Sequence, residues 1–417
     1  MAKNKLKKLL KSVLPNIKPS AQELKDERSF AKRIVAKLKK QTNAQVVVTG
    51  SIAKGTFLRE SKDLDVFLLF KQTVSKEKLE SLVKSAVVKA FPNQHYVVSY
   101  AEHPYVRLHL AGRRIDVVPA YKISKATELK SAVDRSVLHT KFILDNLRKK
   151  DDVLLLKKFL KSNGLYGAEI RVQGLSGYLC ELLIIYYKSF VNLLGAAVKW
   201  RLPVFIDLKR YYKKNEIVLT VKRFNTFLVV IDPTDKNRNV AAAVSEENIK
   251  RFAALAKKLL KKPSERFFSS PMSFHEKLKK MKSVYIIKLK KPDIVDDILW
   301  GQVRKMERML LEFLKKHDFE IKSILDEADQ DIKIAISLRH DKLPGKKLIL
   351  GPPLKLKGNV RKFKAAHKRA RFIIKNKKVC AYVKRDIRNG GEVLRLFFRT
   401  TELPSHLDKR SVKVEKR

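Results

Sequence analysis

The sequence predicts an α/β + α + α+β multidomain protein. In the first 120 residues, strand and helix patterns alternate, as in an α/β unit with a mixed sheet. From about Lys130 to Pro263, apolar residues recur at helical spacing, and beyond Pro263 the alternation returns. A chain of 417 residues is long enough for several domains. We therefore expect domain boundaries that give residues 1–150, 151–265 and 266–417.

In the α/β region, local signals define each predicted element. Ser20 and Glu23 have the spacing of a capping box, and an apolar helix face follows them. A buried strand, QVVVT, ends at Gly50, and a short helix is expected from Ile52. The further predictions are strands at 65–70, 96–100, 105–110 and 114–118, and a basic amphipathic helix at 76–90.

The later regions show longer helices and then renewed strands. Apolar runs predict helices at 153–160 and 177–194, and Asn163-Gly164 is a helix stop signal. In the last region we expect strands at 284–289, 333–338, 379–384 and 392–400, a helix at 302–317 and a very basic helix at 360–372.

The charge of the chain points to a polyanionic partner. The formal net charge is +51, and the basic residues extend from Lys3 to Arg417 instead of forming a single tail. Such a charge repels itself in the folded state and attracts polyanions. Nucleic acid is the first candidate partner and an acidic membrane surface the second.

Cysteine content and hydropathy indicate a cytoplasmic protein without membrane segments. Cys180 and Cys380 have no metal-ligand spacing and imply no disulfide framework. The N-terminus is basic and lacks the apolar core of a secretory signal. The longest apolar stretch, 178–198, contains Glu181, Lys188 and Asn192, so a buried helix explains it better than a membrane span.

Three aspartates form a candidate metal site. Residues two apart in a strand face the same way, so Asp63 and Asp65 are expected to project together beside the strand DVFLLF. Asp116 in RRIDVVP lies within another predicted strand, where an unpaired charge would be costly. Mg²⁺ prefers carboxylate and phosphate oxygens, and three such carboxylates suit two ions roughly 4 Å apart. The alternative is that Asp63 caps a turn and Asp65 pairs with a nearby lysine.

Gly50-Ser51 supplies a turn suited to anion binding. Glycine permits a tight turn and a close backbone approach. A strand followed by Gly-Ser and a helix directs N–H groups and the Ser51 hydroxyl towards an anion. The combination of this turn with Asp63, Asp65 and Asp116 therefore predicts nucleotidyl transfer, with a triphosphate bound beside the metal.

Longer segments resemble a known family. The segment GSIAKGTFLRESKDLDVFLLF resembles the signature of polymerase-β-like nucleotidyltransferases. The strings YAEHPYV, IDVVPAYK, GLSGYLCELLI, DPTDKNRNVAA and KPDIVDD are similar to those of archaeal (class I) CCA-adding enzymes. The resemblance covers nearly the whole chain and is weakest after about Arg339.

This resemblance implies both a fold and a reaction. The fold would have a polymerase-β-like head, a helical central domain and an α+β body and tail, often in a homodimer. The reaction would add or repair the 3′-terminal CCA of tRNA with CTP, ATP and Mg²⁺, without a nucleic-acid template. A poly(A)- or oligoadenylate-type transferase and an inactive RNA-binding homologue remain the alternatives.

The resemblance also assigns roles to single residues. Asp63, Asp65 and Asp116 match metal carboxylates, although the first is often Glu in relatives. The further nucleotide-binding matches are Ser51 and Lys54 on the triphosphate, His139, Lys157 and Tyr166 on the nucleotide, and Arg238 on the incoming base.

From the residues alone, purely structural roles remain possible for several of these residues. His139 could be a satisfied helical histidine, Tyr166 could belong to the core, and Arg238 could be a surface residue of a polar loop. An arginine that reads a base needs a rigid loop, which Asp232 and Asp235 could provide. The basic helix is better explained by RNA phosphate contact than by solvation alone, given the total charge. Its candidate RNA-binding residues are Arg361, Lys362, Lys364, Lys368 and Arg369.

Overall fold

The computed structural model describes residues 2–100 and 104–417, and the chain divides into two compact units, Met1–Pro271 and Met272–Arg417. Part of the string YAEHPYV, residues 101–103, therefore lies outside the described residues. The first unit contains the predicted α/β and central regions, and the second contains the predicted α+β region.

The first unit begins with a five-stranded mixed sheet, as predicted. Its strands lie in the order β1-β2-β5-β4-β3, with β2 and β5 parallel and the other neighbours antiparallel. The predicted capping box is present, since the Glu23 amide donates to Ser20 Oγ at 3.1 Å. The elements are α1 (Ala2–Ile17), α2 (Ala21–Lys39), β1 (Gln45–Thr49), α3 (Gly50–Lys54), β2 (Leu64–Phe70), α4 (Lys76–Ala90), β3 (Tyr96–Tyr100), β4 (Pro104–Leu110) and β5 (Arg113–Tyr121).

The remainder of this unit is mainly helical. Its helices pack around a core that includes Phe159, Phe190 and Phe252, all fully buried. A small sheet in the order β6-β7-β8 lies within this region, although the sequence had indicated helices only. The elements are α5 (Arg135–Asn146), α6 (Lys150–Ser162), α7 (Gly177–Tyr187), α8 (Phe190–Ala197), β6 (Val204–Asp207), α9 (Ile217–Phe224), β7 (Leu228–Asp232), β8 (Asp235–Asn239) and α10 (Glu246–Lys261).

The prediction of a single helix at 177–194 is wrong. Lys188 adopts a left-handed conformation (φ 69°) that ends α7, and Ser189 caps α8 by accepting from the Asn192 amide. The two helices are bent by 91°. By length and composition this bent pair could span a membrane, but within the described residues no single helix is long and apolar enough to do so.

The second unit contains two antiparallel sheets. The larger has the order β10-β11-β9-β15 and the smaller has the order β12-β14-β13. The elements are α11 (Phe274–Lys279), β9 (Val284–Lys290), α12 (Asp296–Lys316), β10 (Ile321–Ala328), β11 (Asp331–Leu338), β12 (Lys346–Pro353), α13 (Lys357–Ala366), β13 (Arg371–Lys375), β14 (Lys378–Lys384), α14 (Gly390–Thr400) and β15 (Lys413–Lys416).

Two predictions for the second unit need correction. The segment 392–400 is part of helix α14, not a strand, because its buried residues Val393, Leu394, Phe397 and Phe398 recur at helical spacing. The basic helix predicted at 360–372 ends at Ala366. Lys368 and Arg369 lie in the turn that follows, before β13 begins.

Candidate active site

Two of the candidate carboxylates lie on adjacent parallel strands. Asp65 in β2 is directly opposite Asp116 in β5, so both side chains emerge from the same face of the sheet. Asp63 lies two residues before Asp65, immediately ahead of the strand. The hydrophobic neighbours Val66 and Val117 are fully buried and fix the register of the two strands.

Gly50 makes room for Asp65. The antiparallel pairing of β1 with β2 places Thr49 opposite Asp65, and Gly50 follows at the start of α3 with φ 68°. A Cβ atom on residue 50 would lie 1.9 Å from Asp65 Oδ2. Because α3 has only five residues, its helix dipole is small, and the turn contributes mainly through this close approach.

The surroundings of Asp65 disfavour its charged form. Burial, followed by the neighbouring carboxylates of Asp116 and Asp63, raises the pKa of Asp65 to about 6, whereas Arg114 and Lys54 oppose the rise. Three carboxylates in mutual repulsion are the donor set that a hard divalent cation would relieve. The residues present therefore fit a divalent metal ion.

Two arginines that the sequence gave no reason to select contact these carboxylates. Arg107 donates to both oxygens of Asp116, from Nε at 2.7 Å and from Nη2 at 3.0 Å. Arg114 donates from Nη2 to Asp63 Oδ2 at 2.8 Å. Over the part of the chain that the structure covers, no three His, Cys, Asp or Glu side chains are arranged to coordinate an ion as they stand. Metal binding would therefore require Asp63 or Asp116 to exchange its arginine contact for the ion.

A cavity of about 360 Å³ opens beside the carboxylates. This volume is within the range of small-molecule sites. The lining includes Gly50, Lys54, Asp65, Asp116, His139 and Tyr178. The cavity therefore brings together side chains from the sheet and from the helical region, which are far apart in sequence.

A buried aspartate connects two of the predicted nucleotide-binding residues. Asp232 Oδ2 lies 2.7 Å from His139 Nε2 and accepts from Arg238 Nη1 at 2.9 Å. Burial alone would raise the pKa of Asp232, but the contacts with His139 and Thr234 hold it far below its usual range. Burial lowers the pKa of His139, although Asp232 opposes the shift. Asp235, the other residue expected to hold the loop of Arg238, accepts from the Asn237 amide within that loop at 3.1 Å and from Arg135 Nε at 3.2 Å.

The His139 ring is held by stacking as well. It lies on the ring of Tyr178, with the ring centroids 3.9 Å apart, and Tyr178 donates its hydroxyl to Asp232 Oδ1 at 3.2 Å. Burial raises the pKa of Tyr178, so the hydroxyl stays protonated. Neither Tyr178 nor Asp232 was recognised from the sequence as a direct contact of His139. The apolar segment before Glu181 gave no signal for Tyr178.

Ser51, Lys157 and Tyr166 do not line this cavity. Lys157 is buried behind it and donates to the Thr56 carbonyl at 2.8 Å. Burial raises the pKa of the half-buried Tyr166, whose ring lies under the Lys161 ammonium. Ser51 is half-buried in α3. The five candidate RNA-binding residues are exposed in the second unit.

Comparisons with known proteins cover all three regions. The nucleotidyltransferase domain model matches residues 29–139, the second domain of tRNA nucleotidyltransferases matches 151–269, and the C-terminal domain of CCA-adding enzymes matches 280–410. The CCA-adding enzyme of Methanocaldococcus jannaschii is 35% identical over 398 residues, which are 91% of this chain and 88% of that protein. That of Archaeoglobus fulgidus is 34% identical over 409 residues, 95% of this chain and 90% of that protein.

The chain belongs to the CCA-adding enzyme family. The resemblance found in the sequence is confirmed, including over the second unit, where it was weakest. Membership in this family implies nucleoside triphosphate substrates and a divalent metal in general terms.

Solved structures confirm the polymerase-β-like nucleotidyltransferase fold. The RNA terminal uridylyl transferase Cid1 superposes with a TM-score of 0.50 and 16% identity, over 64% of this chain and 97% of its own. A cytoplasmic RNA terminal U-transferase gives a TM-score of 0.50 and 17% identity, over 64% of this chain and 100% of its own. At such identities the likeness concerns the fold alone.

Proposed function

We propose that this protein adds or repairs the 3′-terminal CCA of tRNA, using CTP and ATP without a nucleic-acid template. The tRNA 3′-hydroxyl attacks the nucleotide α-phosphate, and pyrophosphate leaves. The observation that carries the proposal is that CCA-adding enzymes align with 91% to 95% of the chain. The carboxylates beside a nucleotide-sized cavity supply a chemical rationale for it.

Asp63, Asp65 and Asp116 are the proposed metal residues. They would hold Mg²⁺, which supplies activation of the attacking hydroxyl and charge neutralisation of the leaving pyrophosphate. For Asp65 to serve as a ligand it must first lose its proton, and its raised pKa makes this step sensitive to pH near 6. Gly50 permits the close approach that the Asp65 carboxylate needs.

Side chains in and near the cavity are the proposed nucleotide-binding groups. Lys54 offers a positive charge to the triphosphate, together with the Ser51 hydroxyl at the preceding turn. His139 forms part of the cavity wall, and Arg238 is oriented by Asp232 for contact with the incoming base. The remaining proposed nucleotide-binding residues are Lys157, which donates to the Thr56 carbonyl and lies 3.6 Å from Glu181, and the half-buried Tyr166.

The proposal extends to the acceptor and to the organisation of the chain. The exposed residues Arg361, Lys362, Lys364, Lys368 and Arg369 would contact tRNA phosphates along the acceptor stem. We also propose domain boundaries that give residues 1–150, 151–265 and 266–417, a cytoplasmic location, a homodimer and no membrane association.

Nucleotide incorporation into truncated tRNA tests the function. Purified protein, Mg²⁺ and tRNA lacking its 3′ end are offered labelled CTP and ATP, separately and together. We expect ordered addition of C, C and A that then stops. Unlimited addition of A would favour a poly(A)-type transferase, and no addition under any condition would favour an inactive RNA-binding homologue. Either result would overturn the proposal.

The carboxylate assignment needs its own variant. Asp65→Ala is expected to abolish incorporation. Binding of tRNA should stay near that of the wild type, because Asp65 is not one of the residues proposed to contact tRNA phosphates. Asp145→Ala, at an exposed position of α5, is the matched control and should retain full activity. Residual activity of Asp65→Ala close to that of the control would refute the role of Asp65.

A further inference from the structure

A further carboxylate, that of Glu181, lies in a buried charged cluster and has no role in the proposed function. Its side chain in α7 is fully buried. Glu181 Oε2 accepts from Lys54 Nζ at 2.5 Å, and Glu181 Oε1 accepts from Thr56 Oγ1 at 2.5 Å. Lys157 Nζ lies 3.6 Å from Glu181 Oε1. One carboxylate therefore connects the end of α3 and the segment after it with helices α6 and α7.

The cluster has an unusual charge balance. Lys54 and Lys157 are 7% and 3% exposed, so two ammonium groups are buried against a single carboxylate. A buried charge without a partner is very costly, and a lysine in such a place gives up its proton instead. Burial already lowers the pKa of Lys157 and Lys54 lowers it further, whereas Glu181 raises it. Glu181 is thus the charge that opposes deprotonation.

The thiol of Cys180 and the phenols of Tyr166 and Tyr178 lie near the cluster but supply no negative charge. Burial raises the pKa of Cys180 to about 12, so this thiol is neutral. Burial also raises the pKa values of Tyr166 and Tyr178, which keeps both phenols neutral. Among the described groups that act most strongly on the pKa of Lys157, Glu181 is the carboxylate, and its Oε1 atom lies 3.6 Å from Lys157 Nζ.

The cluster touches the candidate active site through Lys54. This side chain lines the cavity together with Asp65 and His139, while Glu181 holds its ammonium group from behind the cavity wall. We propose that Glu181 is a positioning residue for nucleotide binding, because its carboxylate directs the Lys54 ammonium group and supplies the negative charge that keeps the buried Lys157 protonated before a triphosphate arrives. This inference rests on the proposed function, in which Lys54 contacts the triphosphate.

The inference predicts a specific link between nucleotide binding and protons. Without the carboxylate, Lys157 of the free protein loses its proton, and it regains one when a triphosphate supplies negative charge. Binding then takes up one additional proton, so affinity falls about tenfold for each pH unit above the lysine pKa of the free variant. A residue with only a packing role would change stability without adding this proton.

The test measures CTP binding to the full-length protein by calorimetry with Mg²⁺, in buffers of different ionisation heat, between about pH 6 and pH 9. On binding CTP, Glu181→Gln should take up one more proton than the wild type does. Between the two ends of this pH window, its dissociation constant should rise by a factor at least ten times larger than the factor for the wild type. Glu60→Gln is the matched control, since Glu60 lies 2.9 Å from the neighbouring Lys158 but is half exposed. It should follow the wild type.

A second variant separates charge from position. Glu181→Asp keeps the charge but withdraws the carboxylate from Lys54, so we expect the wild-type pH profile, a KM for CTP raised about tenfold and an unchanged kcat. It also keeps the inference testable if Glu181→Gln fails to fold. A Gln variant that follows the wild-type profile, or an Asp variant with the wild-type KM, would overturn the inference. Failure of the wild type itself to bind and incorporate CTP would instead overturn the proposed function.

Discussion

The Oδ2 atom of Asp65 lies 1.9 Å from the position that a Cβ atom of residue 50 would occupy. Gly50 is therefore required by the carboxylate as well as by its own left-handed backbone (φ 68°). Because Asp65 is central to the proposed metal site, the packing of these two residues connects the Gly-Ser turn directly to the chemistry.

Gly50→Ala should abolish incorporation by displacing Asp65. The left-handed conformation alone costs about 1 to 2 kcal/mol for alanine, and the displaced carboxylate adds about 1 to 3 kcal/mol through overpacking. Thermal unfolding and CMP incorporation would be measured together. Gly112→Ala is the matched control, because Gly112 has φ 70° but no heavy atom within 4 Å of the position that its Cβ would take. If both variants lose equal stability and keep activity, the packing argument is wrong.

The Gly-Ser turn shows how far the sequence could predict the site. Spacing and residue type were enough to indicate the turn, the strand after it and the carboxylates. The reason that residue 50 must be glycine depends on the antiparallel register of β1 and β2, which pairs Thr49 with Asp65. Such a register is a tertiary property, and so is the contact of Arg107 with Asp116 across β4 and β5.

Without metal, Asp65→Asn should stabilise the protein at high pH. The pKa of Asp65 is raised from 3.8 to about 6 in the folded protein. Protonated Asp65 therefore stabilises the fold below pH 3.8, and this contribution is lost as the pH rises through 6. At about pH 8 in EDTA, the free energy of unfolding of the variant should therefore exceed that of the wild type by about 1 to 3 kcal/mol, and its unfolding temperature should be higher.

Mg²⁺ should reverse this order, because only the wild type gains stability from binding the ion. Asp145→Asn, at an exposed position, should match the wild type under both conditions. An Asp65→Asn variant that is less stable than the wild type in EDTA at high pH would contradict the assigned electrostatics.

Asp232→Asn should weaken the binding of both nucleotides. Asp232 contacts His139, Arg238 and Tyr178, so removal of its charge releases the arginine and leaves weaker hydrogen bonds. We expect a raised KM for CTP and for ATP and a loss of stability of about 1 to 3 kcal/mol. The depressed pKa of Asp232 also means that its stabilising contribution is present above pH 3.8 and is lost only on strong acidification.

Asp235→Asn is the control for this substitution, since Asp235 belongs to the same turn but contacts Arg135. It should leave both KM values near those of the wild type. Equal effects of the two substitutions would show that the turn as a whole matters, and not the connection between His139 and Arg238.

The helical region was harder to predict than the sheet. The apolar run LVVID was interpreted as part of a helical region but forms β7, because a short buried run has no distinguishing periodicity. The contact between His139 in α5 and Asp232 at the end of β7 joins residues 93 positions apart. Motif resemblance pointed to His139 and Arg238, and the sequence suggested that Asp232 could hold the loop of Arg238, but the contact of Asp232 with His139 became visible only in the fold.

The exposed basic residues of the second unit should give tRNA binding a steep dependence on salt. Removal of each phosphate contact should make the slope of log affinity against log salt concentration less negative by about 0.9. Replacement of Arg361, Lys362 and Lys368 by glutamine should therefore reduce the slope by about 2 to 3, with kcat for bound tRNA unchanged. Filter binding over a salt series would measure it.

The comparison variant replaces Lys76, Lys78 and Lys89, which are exposed on α4 in the first unit, by glutamine. It removes the same number of positive charges, so any general effect of net charge on tRNA attraction appears equally in both proteins. A larger change of slope in the Arg361, Lys362 and Lys368 variant would assign phosphate contacts to those residues. Equal slopes would mean that the basic residues of the second unit act only through the total charge of the protein.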